Sequence, residues 1–565
     1  MILLGYFITA ATSISLILLF LGVFLARKDL GRSLAESGVR LRTLFLLALI
    51  IIFFVSFSLL YVKQVEQLYF DENIYQGIAL NVLKGGNALW CQYGTGDLGR
   101  CFVNQVYHDS TGYSVLIAIA FGIFGIGTET AAGLEFLMGM LSIVFVFMLA
   151  ISLFEDEKIA LYSAALMALA PEIMIWSRAL AVPDLAFMTF TILTMFFFVV
   201  WIRRKRKEMM LPFIAALSLS VYMRIEGILL IPIFASIYLV TGREGIIKSF
   251  ASRIKEISKA ADDDIYFLAL LLFLVLLLLP QVYYLCIEVA APSYGQGASG
   301  LFSYANLSKN LIQNIDFIIG TFNYYPAISE WETGILFIIG ILSVVLVKKL
   351  RHALGYLALP ILVYLLFYSA FYAGSVGFGV DVRFMLEIIP FLIIAAGIGI
   401  SIIEKLALYA YSKVDNSKKI RYVITIIILI GFVGYPFSAV YPSITLRPSQ
   451  MAQEAFPFSA TSFIYQNYAK VPQNCLVFSF TPEMWQELNR SSAEIGYLEG
   501  ANNTIRKSIE SYSCFVFDYG YWCTIQPYHS TLCSQIINSY NLSVIATERS
   551  GNGVNFSLYK IVNYK

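Results

Sequence analysis

The side chains best suited to chemistry in this chain are a small set of acidic and cationic residues at the ends of apolar segments. Phe70-Asp71-Glu72-Asn73-Ile74-Tyr75 follows one apolar run and opens a helix-like stretch, Gln76–Lys84, that stops at Gly85-Gly86. An adjacent carboxylate pair can direct one oxygen as general base toward a hydroxyl while the other orients an acceptor or holds a cation. The same pair also reads as the N-terminal charge of a helix. Asp184 follows Pro183, and an acidic residue there reads as helix-start chemistry. Arg178, Arg224 and Arg383 offer a planar fork of donors that matches phosphate oxygens and stays charged at any working pH. For Arg383 the plainer reading is an interfacial anchor; for Arg178, Arg224 and Glu226 it is structural ion pairing. His108 and Asp109 complete the set, in Tyr107-His108-Asp109-Ser110-Thr111-Gly112. With 3 histidines in the chain a His-rich metal centre is excluded. No cofactor is required, and one divalent cation on Asp71, Glu72 and His108 is the single metal arrangement on offer.

The elements that must position these residues are membrane helices. Of 565 residues 59% are hydrophobic and 13% charged, about half the charged share of a soluble domain, so a soluble enzyme is excluded. The apolar surplus falls in runs of roughly 20 residues, the length that spans ~30 Å of hydrocarbon. Twelve spans are expected, near 2–26, 42–62, 130–154, 159–177, 184–202, 209–223, 226–241, 265–288, 332–348, 353–372, 384–404 and 421–440. A net charge of +2 provides no basic field for nucleic acid, and no phosphate-binding loop ending in Lys-Ser/Thr is present.

Lys and Arg concentrate in alternate loops, 24 against 7 before residue 440, which sets those loops in the cytoplasm and both termini outside. Arg27, Lys28 and Arg32 follow the first apolar run, the reverse of a signal peptide, so that run is read as a permanent span. Tyr113–Gly127 is too short to cross and is expected to lie in the outer interface or half-buried against the bundle. Residues 289–331 read as a long outer loop, Asp262-Asp263-Asp264 as a solvated helix start, and Arg203–Lys207 as a membrane-surface anchor. The division expected is an extra N-terminal transmembrane helix with a basic cytoplasmic loop (1–41), a transmembrane catalytic domain (42–440) with its first outer loop at 63–129, and a soluble extracytoplasmic α/β domain (441–565). In that last part, apolar runs 475–480, 514–519 and 543–547 alternate with helical stretches near 459–469, 482–490 and 501–510. Six of 7 cysteines fall outside, where disulfides persist. Cys91 and Cys101 form a simple pair; Cys475, Cys514, Cys523 and Cys533 allow three connectivities. All five Asn-x-Ser/Thr triplets also lie outside.

An outer Asp-Glu after an early span, a short helix ending in Gly-Gly and a Tyr-rich segment leading to an apolar interfacial helix together resemble the GT-C glycosyltransferases that use polyprenyl-phosphate sugars. Among these are the protein O-mannosyltransferases and the lipid A aminoarabinose transferases. The resemblance continues in Ala170–Arg178 with Val182-Pro183-Asp184, in Tyr222–Gly227 and in Asp381–Pro390, and covers roughly residues 42–405. It implies that Asp71 is the catalytic acidic residue with Glu72 beside it, and that Arg383 meets the donor lipid phosphate with Arg224 or Arg178 in support. It further implies that Asp184, His108, Asp109, Tyr75 and Glu226 orient substrate. Where many relatives have a Lys or His before two prolines, this chain has His108-Asp109-Ser110, a departure that bears on the local backbone path.

The activity this implies is transfer of a sugar from a polyprenyl-phosphate donor to a glycan, lipid or protein acceptor at the outer face of the cell membrane, with inversion. The oligomeric state is left open. Three rivals follow. An oligosaccharyltransferase is disfavoured because no Trp-Trp-Asp-Tyr-Gly segment occurs. A secondary transporter would place broken, polar helices at the bilayer midplane. A non-catalytic scaffold would have no use for the Asp-Glu constellation.

Overall fold

The computed structural model describes residues 2–64, 70–91, 93–95, 101–107, 109–241, 261–290, 302–319, 331–376, 382–412, 456–496, 498, 512–520, 522–525, 527–549 and 553–564, with isolated positions between 423 and 445. Its helices are α1 (Ile2–Glu36), α2 (Leu41–Tyr61), α3 (Phe70–Gly85), α4 (Gly112–Phe124), α5 (Thr128–Phe154), α6 (Glu157–Leu169), α7 (Pro171–Ala179) and α8 (Pro183–Arg204). Then come α9 (Met210–Met223), α10 (Leu230–Thr241), α11 (Ala261–Ala290), α12 (Tyr304–Ile318), α13 (Trp331–Leu346), α14 (Leu354–Ala370) and α15 (Ile389–Ser412).

Seven of these, α1, α2, α5, α8, α11, α14 and α15, are long and apolar enough to cross a membrane, and eight if the bent pair α6–α7 counts as one span. The chain is a multi-pass helical membrane protein. The expected spans near 209–223, 226–241 and 332–348 are helices of 14, 12 and 16 residues, and that near 421–440 lies almost wholly outside the described residues. The expected span 159–177 is broken: α6 and α7 meet at a 53° bend. Pro171 causes it, because proline has no N–H to donate and its ring crowds the preceding turn, whereas at the first position of α7 it fits. The segment read as an outer loop at 289–331 contains α12, whose Asn310 and Asn314 amides donate to the carbonyls of Phe371 and Gly374 at 2.7 and 2.9 Å. Asn314 also accepts from the Val376 amide, so α12 braces the chain that leads to Arg383. α4, expected in the interface or half-buried, is buried from Gly112 to Ala118 and again at Ala120 and Phe121, leaving Ile119, Ile123 and Phe124 exposed.

α8 is buried on every side through its first eighteen residues, which makes it the central helix of the bundle. Asp184 is in its first turn and Arg203 and Arg204 in its last, the arrangement the helix dipole favours. The nineteen-residue separation is about 28 Å at 1.5 Å per residue, close to the hydrocarbon thickness. At the Arg203 end a belt of ion pairs ties the helix termini together. Arg203 donates to the Ser152 carbonyl at 2.7 Å, Arg204 meets Glu155 at 3.2 Å, and Arg206 meets Glu36 at 2.8 Å. Nearby, Lys158 reaches the buried Glu404 at 2.6 Å.

Where helices touch within the bundle, small residues permit the approach. An added Cβ at Gly340 of α13 would sit 1.8 Å from the Ala395 carbonyl oxygen, and one at Gly399 of α15 would sit 2.3 Å from that of Leu336. Backbone cannot yield as a flexible side chain does. Gly340→Ala is therefore expected to cost about 1–3 kcal/mol, read as a fall of several degrees in Tm of the detergent-solubilised protein. An unchanged melting curve would show that Gly340 does not set the α13–α15 spacing.

Beyond the bundle, α16 (Phe456–Asn467), α17 (Pro482–Glu487) and α18 (Pro527–Ser539) flank a six-stranded sheet. Its strands are β1 (Gly94–Thr95), β2 (Cys475–Ser479), β3 (Ser491–Glu494), β4 (Cys514–Tyr519), β5 (Tyr540–Arg549) and β6 (Asn555–Tyr564), in the order β1-β3-β2-β4-β6-β5. β2 runs parallel to β3 and β4, and the other pairs are antiparallel. One face packs under α16 and α17, around Phe463, Met484 and Trp485; the other packs under α18, around Leu532 and Ile536. Disulfides join Cys91 to Cys101, Cys475 to Cys514 and Cys523 to Cys533. The helical stretch expected at 501–510 lies outside the described residues.

β1 belongs to the loop after α3 rather than to the C-terminal segment, so the sheet is assembled from both. A second tie runs through α17, whose Glu483 accepts from the Trp90 indole N–H at 2.6 Å and packs where a Cβ on Gly77 of α3 would be 2.9 Å from its Cγ. Burial pushes the Glu483 carboxyl up to about 7, although the backbone and Trp90 hydrogen bonds pull it down. A carboxyl whose pKa is higher folded than unfolded stabilises fully below its unfolded value and loses that contribution as pH rises through the folded one. Between pH 5 and 8 the seam is thus expected to weaken by on the order of 3 kcal/mol. Glu483→Gln, neutral throughout, should flatten the dependence of Tm on pH; an equally steep profile in the variant would assign the dependence elsewhere.

Candidate functional site

The site forms at the end of α8 opposite Arg203, where α3, the 180–182 segment, the turn after α9 and the turn before α15 converge. α3 brings Asp71 and Glu72 in its first turn and ends at Gly86, whose φ of 69° is the left-handed stop that glycine takes without strain. α9 ends because Arg224 is extended, with φ −142° and ψ 143°. Arg383 opens a short turn after Val382, whose φ of 25° is a conformation that β-branched side chains resist. Strain of this kind, on the order of 1–3 kcal/mol, collects where a side chain must be held in place.

Arg383 is the hub. Its Nη1 donates to Asp71 Oδ2 at 3.0 Å, and its Nε donates to Asp184 Oδ1 and Oδ2 at 3.1 and 3.2 Å. Arg224 donates from Nη1 to the same Asp184 Oδ1, and from Nη2 and Nε to Glu226 at 2.8 and 3.2 Å. Both guanidinium groups lie over the Phe384 ring, at 5.4 Å for Arg224 and 5.8 Å for Arg383. Tyr107 donates to Asp71 Oδ1 at 3.2 Å. Tyr75, edge-on to the Tyr107 ring, donates to Asp109 Oδ2 at 3.3 Å. Asp109 and Ser110 are fixed from α11, through Tyr284 to the Asp109 carbonyl at 2.8 Å and Gln281 to the Ser110 hydroxyl at 2.6 Å.

Exposure separates the two acids. The Asp184 side chain is 0% exposed and that of Asp71 is 23% exposed. The arginines also differ, Arg224 being 6% exposed with all three nitrogens engaged and Arg383 14% exposed. The accessible edge of the cluster is therefore Asp71 with Arg383, and the buried Asp184–Arg224 pair, extended by the partly exposed Glu226, is the frame behind it. Such a frame holds a carboxylate and a guanidinium side by side at a fixed spacing, which is what base-assisted displacement at a phosphate-linked carbon needs.

Of the residues singled out from sequence, Asp71, Asp184, Arg224, Glu226 and Arg383 form one connected network, and Tyr75 and Asp109 adjoin it. Glu72 points elsewhere: buried, it accepts from the Ala181 amide at 3.1 Å and so fixes the chain entering α8. Successive helical side chains diverge by about 100°, so the neighbours in sequence are not neighbours at the site. Arg178 rests over the Phe136 ring at 5.6 Å and makes no ion pair to Asp71 or Asp184. His108 lies outside the described residues. Among the described residues no three His, Cys, Asp or Glu side chains gather as metal ligands. Of the three residues named for a cation, Asp71 faces a guanidinium and Glu72 a backbone amide, and His108 lies outside the described residues. Sequence reasoning gave no role to Tyr107 or Phe384, although each adjoins a residue it chose, and nothing in the sequence signals the strain at Val382.

Residues 110–284, which include Asp184, Arg224 and Glu226, match the family model described as dolichyl-phosphate-mannose-protein mannosyltransferase. Among curated proteins none matches the sequence. Among solved structures, ArnT from Cupriavidus metallidurans bound to undecaprenyl phosphate superposes with a TM-score of 0.55 at 14% identity, over 92% of this chain and 98% of that one. The same protein in its apo state gives 0.54 at 13% identity, over 94% and 98%. The apo oligosaccharyltransferase of Archaeoglobus fulgidus gives 0.50 at 12% identity, over 93% of this chain and 74% of its own. At these identities the likeness is one of fold, and at that level the resemblance to GT-C glycosyltransferases is borne out.

Proposed function

We propose that this chain, a multi-pass membrane protein with the GT-C fold, is a glycosyltransferase that moves a sugar from a polyprenyl-phosphate donor to a glycan, lipid or protein acceptor, with inversion. The observation that carries the reading is the accessible Asp71–Arg383 pair backed by the buried Asp184–Arg224 pair and its partner Glu226. The undecaprenyl phosphate named for the ArnT structure supports a lipid-linked donor. We place this end of a twelve-span bundle outside the cytoplasm, on the distribution of Lys and Arg among the loops.

In the mechanism, three carboxylates, Asp71, Asp184 and Glu226, face two guanidinium groups. An arriving lipid phosphate competes with Asp71 for Arg383 and takes its place on Nη1. Asp71 is then free to accept the proton of the acceptor hydroxyl. The hydroxyl oxygen forms its bond to the anomeric carbon from the face opposite the phosphate, the bond from that carbon to the phosphate oxygen breaks, and the lipid phosphate leaves with its charge on Arg383. Tyr107 keeps Asp71 oriented throughout.

The test is transfer of labelled sugar from defined polyprenyl-phosphate donors by the purified full chain in EDTA. Arg383→Ala is expected to lower kcat/KM for the donor by 10²-fold or more, the scale at which removal of one charge-stabilising group acts. Undiminished transfer in that variant would remove Arg383 from the donor site, and activity that EDTA abolishes and Mg²⁺ restores would add a cation to it.

A further inference from the structure

The C-terminal sheet contains a second recess that the Asp71 site does not use. β2 and β4 are adjacent and parallel, but the chain leaves them in opposite directions: from β2 through α17 to β3, and from β4 through α18 to the β5–β6 pair on the far side. Divergence of this kind opens a crevice beyond the carboxyl ends of the two strands, where sheets flanked by helices bind ligands. A recess of about 470 Å³ including its open mouth lies at that point. The recess is narrow: only about 30 Å³ of it admits a water-sized group.

Its floor is polar and built. Asp518, at the end of β4 and buried, accepts through Oδ2 from the Ser479 hydroxyl at 2.8 Å and from the Trp485 indole at 3.0 Å. The Ser479 hydroxyl also receives the Thr481 amide at 3.0 Å. These bonds fix the carboxylate and leave Oδ1 on the side of Gly520, where an added Cβ would be 3.8 Å from Oδ1 and 3.9 Å from the Phe556 ring. The walls are aromatic: Phe480 and Trp522 are half-exposed, and Phe556 is buried. A carboxylate and hydroxyls at the bottom of a narrow pocket, under aromatic walls, match a molecule that presents a hydroxyl at one edge and apolar C–H bonds on its faces.

We propose that this recess binds a saccharide, one hydroxyl inserted toward Asp518 Oδ1 with the pyranose faces against Trp522 and Phe480. The pocket sits one helix from the Asp71 site, since α17 contributes Met484 to the recess while its Glu483 packs on α3. The proposal does not depend on the transferase reading, because binding here needs neither donor nor transfer.

Saturation-transfer NMR on the full chain in lipid nanodiscs tests it, with the methyl α-glycosides of mannose, glucose, galactose and N-acetylglucosamine as probes. At least one is expected to receive saturation at its ring protons. Gly520→Leu, which grows into the mouth from a position with ordinary contacts, and Asp518→Asn, which removes the charge on the floor, should each weaken binding tenfold or more. Should Asp518→Asn fail to fold, Gly520→Leu decides alone, provided that its melting temperature matches wild type. No saturation of any glycoside, or binding that Gly520→Leu leaves intact, overturns the proposal. So does occupation by hexanol in place of the glycosides, which would assign an alkyl ligand.

Discussion

Asp71→Asn lowers kcat for sugar transfer by 10²–10⁴-fold, the range over which a positioned general base contributes, while KM for the lipid donor stays within a few-fold of wild type. The expectation rests on the difference between two carboxylates that share one arginine. Asp184 is sealed and shared between Arg224 and Arg383; Asp71 is partly open and meets Arg383 through one nitrogen. An incoming hydroxyl can reach only the second. Asn keeps an oxygen for Tyr107 and a similar volume, so the fold should survive, but an amide has no place for the proton. Loss of Asp71 also frees Arg383 of a competitor, so donor binding should hold or tighten. Single-turnover transfer with saturating donor separates these terms. A variant that transfers at the wild-type rate would end the assignment of Asp71 as base, and one with normal kcat but raised KM would make it a binding residue.

Asp184→Asn is expected to destabilise the protein by about 3–5 kcal/mol, the cost of removing one partner from a buried ion pair. Two guanidinium groups would then lie against one another with only the partly exposed Glu226 and Asp71 as counter-ions. The effect should appear as a fall in Tm and as loss of folded protein on extraction, before any assay of transfer. Replacing Arg224 by Gln in the same chain should recover part of the loss, because it removes one of the stranded charges. If Asp184→Asn melts as wild type does, the buried frame is not what holds Arg383 in place.

Much of this was legible in the sequence for one reason: in so apolar a chain, charges at helix ends are costly and therefore conspicuous. Asp71, Asp184, Arg224, Glu226 and Arg383 could be picked out on that ground, and the strands at 475–479 and 514–519 could be read from their apolar runs. What was not legible was direction. Glu72 is adjacent to Asp71 in sequence yet turns to the Ala181 amide, a matter of rotation about a helix axis that spacing of one residue cannot settle. Arg178 carries the right charge at a comparable position but lies over Phe136. The break between α6 and α7 is signalled by Pro171 but masked by the apolar run that continues through it. β1, two residues long, carries no pattern that a sequence could show, and β3 is polar in composition, Ser-Ser-Ala-Glu.

That two-residue strand also sets a timetable for biosynthesis. Gly94 pairs with Ala493, about 400 residues later, so at 5–20 residues per second the ribosome needs about 20–80 s to deliver the partner. Throughout that interval the loop after α3 has emerged without the strand that completes it, and the Cys91–Cys101 bond, which closes locally, is the device available to keep it compact. A chain cut short before residue 491 would therefore lose more than its last segment: the loop that carries Trp90 and Tyr107, and with it the setting of Asp71, would be left without its edge.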